Sequence, residues 1–328
     1  MKLGIVGTGM IVQEALPLVA KWDWQVTALC GTPRSQEKVT ELCEQNHIPA
    51  GFTDYTAMLK DAEMDAVYVA VPNFLHFAFV KQALEAGQNV IVEKPITSND
   101  TEASKLEALA KEKRLFLFEA ITTVYLPDYL KTKEWLSRIG DVKIISCNFS
   151  QYSHRYDAFR SGEILPAFDP AKSGGALMDL NLYNLHYLMG LFGKPRDVRY
   201  AANVERGIDT SGILTLDYGT FQAVSIAAKD CSAPCRYLIQ GTNGYIQMDT
   251  PANCCEGVML HLADGTTETS SGNPESRMES EFRCFANMIQ SGDYDGCYEQ
   301  LAHSVAVSRV QTKARLDAGI RFPADETR

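Results

Sequence analysis

The chain contains nothing near the roughly 20 consecutive apolar residues that a membrane-spanning helix needs. Its N-terminus runs straight into KLGIVGTG, with no basic n-region, long apolar h-region or small-residue cleavage site. Neither membrane insertion nor export is therefore expected. No basic cluster is present: 31 Lys and Arg stand against 41 Asp and Glu, for a formal charge of −10. That balance argues against a nucleic-acid partner, whose binding rests on Lys and Arg contacts to phosphate. There is no low-complexity tract, internal repeat or linker. The nine cysteines are odd in number and scattered; Cys231 and Cys235 are four apart, Cys254 and Cys255 adjacent, and no His or CxxC pair accompanies them at zinc spacing. No metal is expected on those grounds. A chain too large to need disulfide staples fits a reducing cytoplasm.

What is present is an ordinary globular composition: 328 residues, 45% hydrophobic and 22% charged, more than one core usually spans. The first third alternates strand and helix as βαβ units do. Strands are expected over 2–7, 24–30, 65–71, 89–93 and 115–120. Helices are expected over 10–22, 34–46, 74–87 and 101–114. Pro17 should kink the first of these, and Gly87 should close the third from a C′ position. Beyond about residue 122 the rhythm changes. A helix over 127–138 leads to a long alternating strand, VKIISCNFSQYS, and 213–228 and 235–249 read as hairpins turning at Asp217–Thr220 and Thr242–Gly244. Two helices, about 277–291 and 296–317, end the chain. The expected fold is α/β, with a doubly wound parallel Rossmann sheet over 1–122 and an α+β domain over 123–328.

GIVGTGMIV puts Gly7, Thr8 and Gly9 at the turn between the first strand and first helix, followed by Met10 and Ile11. A dinucleotide pyrophosphate sits at such a turn, because glycines let the backbone approach and the helix N-terminus offers free N–H groups. The strand–turn–helix context strengthens an otherwise weak motif, although Val12 holds the third glycine position. NAD binders usually carry an acid at the end of the second strand. Here it ends at Cys30 and continues GTPRS, with no acid until Glu37. Thr32, Arg34 and Ser35 could instead hold a 2′-phosphate, so NADP is favoured over NAD; Arg34 could equally be the solvated start of the next helix.

NVIVEKPI raises a sharper question, since a buried strand ends there in a carboxylate, an amine and a proline. Lys94 could be a solvated strand-end lysine, but the carboxyl ends of strands are where α/β sheets bind ligands. GTGMI, AVPNFLH (70–76), VEKPI (92–96), FEAITTVYLP (118–127) and GGALMDLNLYNLH (174–186) occur in that order, and in this the chain resembles the Gfo/Idh/MocA oxidoreductases over essentially its whole length. The resemblance implies a nicotinamide-binding Rossmann domain, a second domain with an open, mostly antiparallel sheet, and a sugar or polyol substrate between the two. It also implies a cis Lys94–Pro95 bond.

Hydride transfer at a carbinol carbon needs a proton moved at the oxygen. By resemblance Lys94 and Tyr183 manage it, with the Lys94 ammonium favouring the phenolate. Helical spacing puts Asp179, Tyr183 and His186 on one face; Asp179 is expected to bind a substrate hydroxyl, and His186 to be structural rather than catalytic. The family usually has Gly where this chain has Asn181, which bears on backbone packing. Pro72, Asn73, His76, Glu93 and Glu119 are expected to contact cofactor, although His76 could simply start a helix. Arg160 is expected at the substrate, with Arg155 and Lys172 as further loop cations; all three could instead be solvated. Other readings of the same architecture are a catalytically silent sugar-sensing regulator and a glycosidase using bound NAD. A homodimer or homotetramer is expected, because an open sheet face is often covered by a second subunit.

Overall fold

The computed structural model describes residues 1–19, 21–22 and 24–327. Position 20, inside the expected helix 10–22, and positions 23 and 328 lie outside the described residues. The chain forms two compact units, 1–120 with 282–305, and 121–281 with 306–328.

In the first unit, β1 (Lys2–Val6), α1 (Met10–Val19), β2 (Gln25–Cys30), α2 (Gln36–Gln45), β3 (Ala50–Phe52), α3 (Tyr55–Asp61), β4 (Ala66–Val69), α4 (His76–Glu85), β5 (Asn89–Glu93), α5 (Asp100–Lys113) and β6 (Leu117–Ala120) follow one another. The strands form an all-parallel sheet in the order β3-β2-β1-β4-β5-β6. Parallel sheets are covered on both faces, which is why all four residues of β4 and of β6 are buried. The order reverses beside β1 and β4, the switch point where such sheets bind ligands. The helix continues through Pro17, and Gly87 adopts the left-handed conformation just past α4. Short β3 and α3 were not marked by any expected element, because three strand residues give periodicity too little length to register.

The second unit holds α6 (Pro127–Trp135), β7 (Val142–Ser150), α7 (His154–Ser161), α8 (Leu182–Phe192), β8 (Asp197–Glu205), β9 (Ile208–Asp217), β10 (Gln222–Ala228), β11 (Arg236–Gly241), β12 (Gly244–Met248), β13 (Met259–Leu262) and β14 (Thr267–Thr269). Its sheet runs β14-β13-β12-β11-β7-β10-β9-β8, antiparallel at every step except the parallel β7–β10 pair. The two expected hairpins are β9–β10 and β11–β12. One face buries Ile145, Cys147, Phe149, Leu214, Leu216, Tyr237 and Ile239 in a core shared with α8. The other leaves Ile144, Ile213 and Tyr245 exposed.

The single division expected at 122/123 misses a return of the chain. Residues of α9 (Arg277–Ser291) and α10 (Tyr294–Asp317) between 282 and 305 belong to the first unit. There Phe282 meets Tyr68 edge-on at 5.2 Å, Phe285 stacks on Phe118 at 4.6 Å, and Tyr294 stacks on Phe116 at 4.2 Å. Helical periodicity shows that a face is apolar, not which sheet it covers.

Candidate active site

Each unit carries one part of the expected site. In the first, β1 ends at Gly7, whose N–H donates to the Cys30 carbonyl at 2.8 Å. Gly7 has φ +125°, and a Cβ there would collide with the Ala70 carbonyl; only glycine lets these βα turns approach so closely. A Cβ on Gly9 would meet nothing within 4 Å, and Met10 at the start of α1 is 72% exposed. A glycine cradle with open space before a helix N-terminus fits a dinucleotide pyrophosphate.

At the end of β2, Thr32 and Arg34 are exposed. The Ser35 hydroxyl accepts from the Thr32 N–H at 2.8 Å and lies 3.1 Å from the Thr32 hydroxyl, closing a compact turn ahead of α2. Burial, then the Asp54 carboxylate, pushes the Cys30 thiol up to about 11. Asp54 itself caps α3, accepting from the Thr56 and Ala57 N–H groups. Asp54 is thus already engaged in capping, while Thr32 and Arg34 of the turn are exposed.

Lys94 follows β5, is half-buried, and is joined to Pro95 by a cis peptide bond. Glu93 accepts a short hydrogen bond from the buried Tyr68 hydroxyl and a 3.3 Å one from the Lys94 N–H. Pro72 is exposed and Asn73 half-buried in the turn after β4. Two expected cofactor contacts turn inward instead. His76 is fully buried, with Nδ1 at 2.7 Å from the Pro95 carbonyl and Nε2 at 2.8 Å from that of Val71, so it ties the β4 and β5 turns together. Burial, partly offset by those carbonyls, holds its pKa below the usual histidine value. Glu119 is 3% exposed and accepts from the Ile96 N–H at 2.8 Å, fixing the segment after Lys94-Pro95; burial, with the Ser304 hydroxyl opposing it, raises its carboxyl to about 7. Strand-end position alone cannot distinguish a side chain facing a ligand from one bracing the turn beneath it.

In the second unit the stretch 177–181 is wound as a π-helix before α8 begins. The regular i, i+4, i+7 spacing expected for Asp179, Tyr183 and His186 is interrupted there; single π turns commonly mark functional sites. Gly175 has φ +103°, and a Cβ on it would strike the Asp209 carboxylate, which accepts from the Leu177 N–H at 2.6 Å and the Tyr200 hydroxyl at 2.8 Å. Asn181, where a glycine is usual, accepts a short hydrogen bond from Ser225 and another from Asn184, and so docks the turn on β10. Tyr183 is 7% exposed and His186 fully buried.

Asp179 keeps about a third of its side chain exposed, and its Oδ2 lies 2.6 Å from Nζ of Lys229. Lys229 was missed by sequence reasoning, yet SIAAK at the end of β10 repeats the signal of IVEK at the end of β5: a lone cation closing a buried strand. Arg155 and Arg160 are exposed on α7 and Lys172 half-buried after it. Arg160 hydrogen-bonds Tyr152, whose hydroxyl donates to Asp157 at 2.6 Å. Among the described residues no group of three or more His, Cys, Asp or Glu could hold a metal ion, and no helix is long and apolar enough to cross a membrane.

Residues 1–120 match the family model described as an oxidoreductase family with an NAD-binding Rossmann fold, and residues 129–247 match the GFO/IDH/MocA C-terminal domain. The chain belongs to the Gfo/Idh/MocA oxidoreductase family. It is 33% identical over 330 residues to a scyllo-inositol 2-dehydrogenase (NADP(+)) of Bacillus subtilis, covering 99% of both chains. Identity to a trans-1,2-dihydrobenzene-1,2-diol dehydrogenase of Xenopus tropicalis is 26% over 337 residues, covering 98% of this chain and 99% of the other. The fold is similar to that of a 3-ketoreductase from Actinomadura kijaniata solved with NADP and TDP-benzene, with TM-score 0.83 and 23% identity over 98% of each chain.

Proposed function

We propose that this family member is a dehydrogenase or reductase that uses NADP in preference to NAD and acts on a CH–OH group of a sugar, polyol or trans-diol. The observation that carries the reading is Lys94 at the carboxyl end of β5, in the same unit as the Gly7–Gly9 cradle. Relatives named for NADP-dependent oxidation of scyllo-inositol and D-xylose support both the cofactor preference and the substrate class. Gly7, Thr8, Gly9, Met10 and Ile11 would hold the pyrophosphate, Thr32 and Arg34 the 2′-phosphate, and Pro72, Asn73 and Glu93 the nicotinamide end. The nicotinamide, when bound, supplies the hydride acceptor or donor.

In the oxidative direction, Tyr183 as the phenolate, favoured by the Lys94 ammonium, takes the carbinol proton and becomes the neutral phenol, and Asp179 accepts a hydrogen bond from a neighbouring hydroxyl. Arg160, exposed on α7, would add a contact to a substrate hydroxyl from that helix. The exposed Ile144, Ile213 and Tyr245 on one sheet face support a homodimer or homotetramer, measurable by light scattering, and nine free thiols support a reducing cytoplasm.

The test is nicotinamide absorbance with NADP or NAD against inositols, aldoses and trans-diols, with Lys94→Met beside the wild type. NADP-dependent turnover that disappears in the variant is the expected result. Cofactor binding with no turnover of any panel member would overturn it in favour of a silent sugar sensor. Protein that retains tightly held NAD and cleaves glycosides would overturn it in favour of a glycosidase.

A further inference from the structure

Lys229 is an ammonium buried to 4% exposure at the end of β10. A buried cation is retained only where charge and dipoles replace its water. Here three groups from two elements do so. Asp179 of the π turn supplies Oδ2 at 2.6 Å, the Ala167 carbonyl lies at 3.4 Å, and the Phe168 ring centroid lies 5.0 Å away. Its backbone is fixed as well, with the N–H donating to the Thr210 carbonyl at 2.8 Å and the carbonyl accepting from the Ser153 N–H at 2.9 Å. The exposures of the pair are unequal, 4% for Lys229 against 36% for Asp179. The lysine is the anchored partner, and the carboxylate is the one with a face left for solvent or ligand.

Resting on the reading of Asp179 as a substrate contact, we propose that Lys229 is a positioning residue for the reaction. It fixes one oxygen of Asp179 and ties that carboxylate to the 166–168 turn, so that substrate hydroxyls meet a preoriented acceptor. Preorientation is realised on binding, so its loss raises KM more than it lowers kcat.

The experiment compares wild type, Lys229→Met, Lys229→Arg, Asp179→Asn and the Lys229→Met/Asp179→Asn double variant. It reads KM and kcat for the polyol turned over, NADP affinity by fluorescence, and amide hydrogen exchange across 165–182. Lys229→Met is expected to raise KM at least tenfold, leave NADP affinity unchanged and speed exchange in 165–182. Lys229→Arg, which keeps the cation, recovers part of each loss. The double variant is no worse than Asp179→Asn alone, as expected when one residue acts through the other. Wild-type KM and exchange in Lys229→Met, or losses that add in the double variant, would overturn the proposal. Should Lys229→Met fail to fold, Lys229→Gln, which keeps a polar group but no cation, carries the same comparison. If the wild type turns over no polyol, the functional reading fails, while unchanged exchange across 165–182 still separately overturns the tie and faster exchange supports it.

Discussion

The two sheets obey different rules with the same twenty side chains. In the first unit every residue of β4 and β6 is buried, whereas β9 of the second alternates buried and exposed from Gly212 to Leu216. A parallel sheet needs helices on both faces, and residues 282–305, far away in sequence, supply part of that cover. The antiparallel sheet buries one face and leaves Ile144 and Ile213 at 52% and 46% exposure on the other. One unit thus encloses both faces of its sheet, with Lys94 half-buried at a strand end; the other keeps one sheet face open.

The largest expected effect separates chemistry from architecture. Lys94→Met should lower kcat/KM by about 10²–10⁴ with thermal unfolding unchanged, because the side chain is half-buried at a strand end; a matching loss of stability would make it a structural residue. Phe282→Ala should cost about 3–5 kcal/mol, seen as lost exchange protection in β4 and β6 rather than in β9 and β10. Protection lost first in the second unit would break the assignment of 282–305.

The third effect depends on pH. Folded Glu119 holds its proton to about 7, while the unfolded residue releases it near 4.5. Between those values the folded state binds more protons, so its contribution falls as pH rises, by on the order of 3 kcal/mol across the window. Buried Asp209, also raised, has the same sign, and His76, lowered by burial, has the opposite one. Denaturant titrations of Glu119→Gln should therefore lose a falling slope between pH 5 and 7 that the wild type shows; identical slopes would remove Glu119 as its source. The smallest effect is Ile213→Ala on the open face, within about 0.5 kcal/mol for the monomer. A fall in oligomer mass in that variant would show that the face is covered in solution.

The glycine turn, five of the six parallel strands and the two hairpins were legible in the sequence, because each depends on neighbours within a few residues; the cis Lys94–Pro95 bond was expected only from the family resemblance. The buried bracing roles of His76 and Glu119 were not legible for the opposite reason: their partners, the Val71 and Pro95 carbonyls and the Ile96 N–H, are fixed by how adjacent strands end. Lys229 could be seen as a cation closing a strand, but not as the partner of an aspartate 50 residues earlier. Local sequence determined which segments are strands, turns and helices, since period and backbone freedom are properties of short stretches. Only the tertiary structure decided which strand-end side chains stay accessible and which brace a turn, because burial and pairing depend on elements that sequence order does not place side by side.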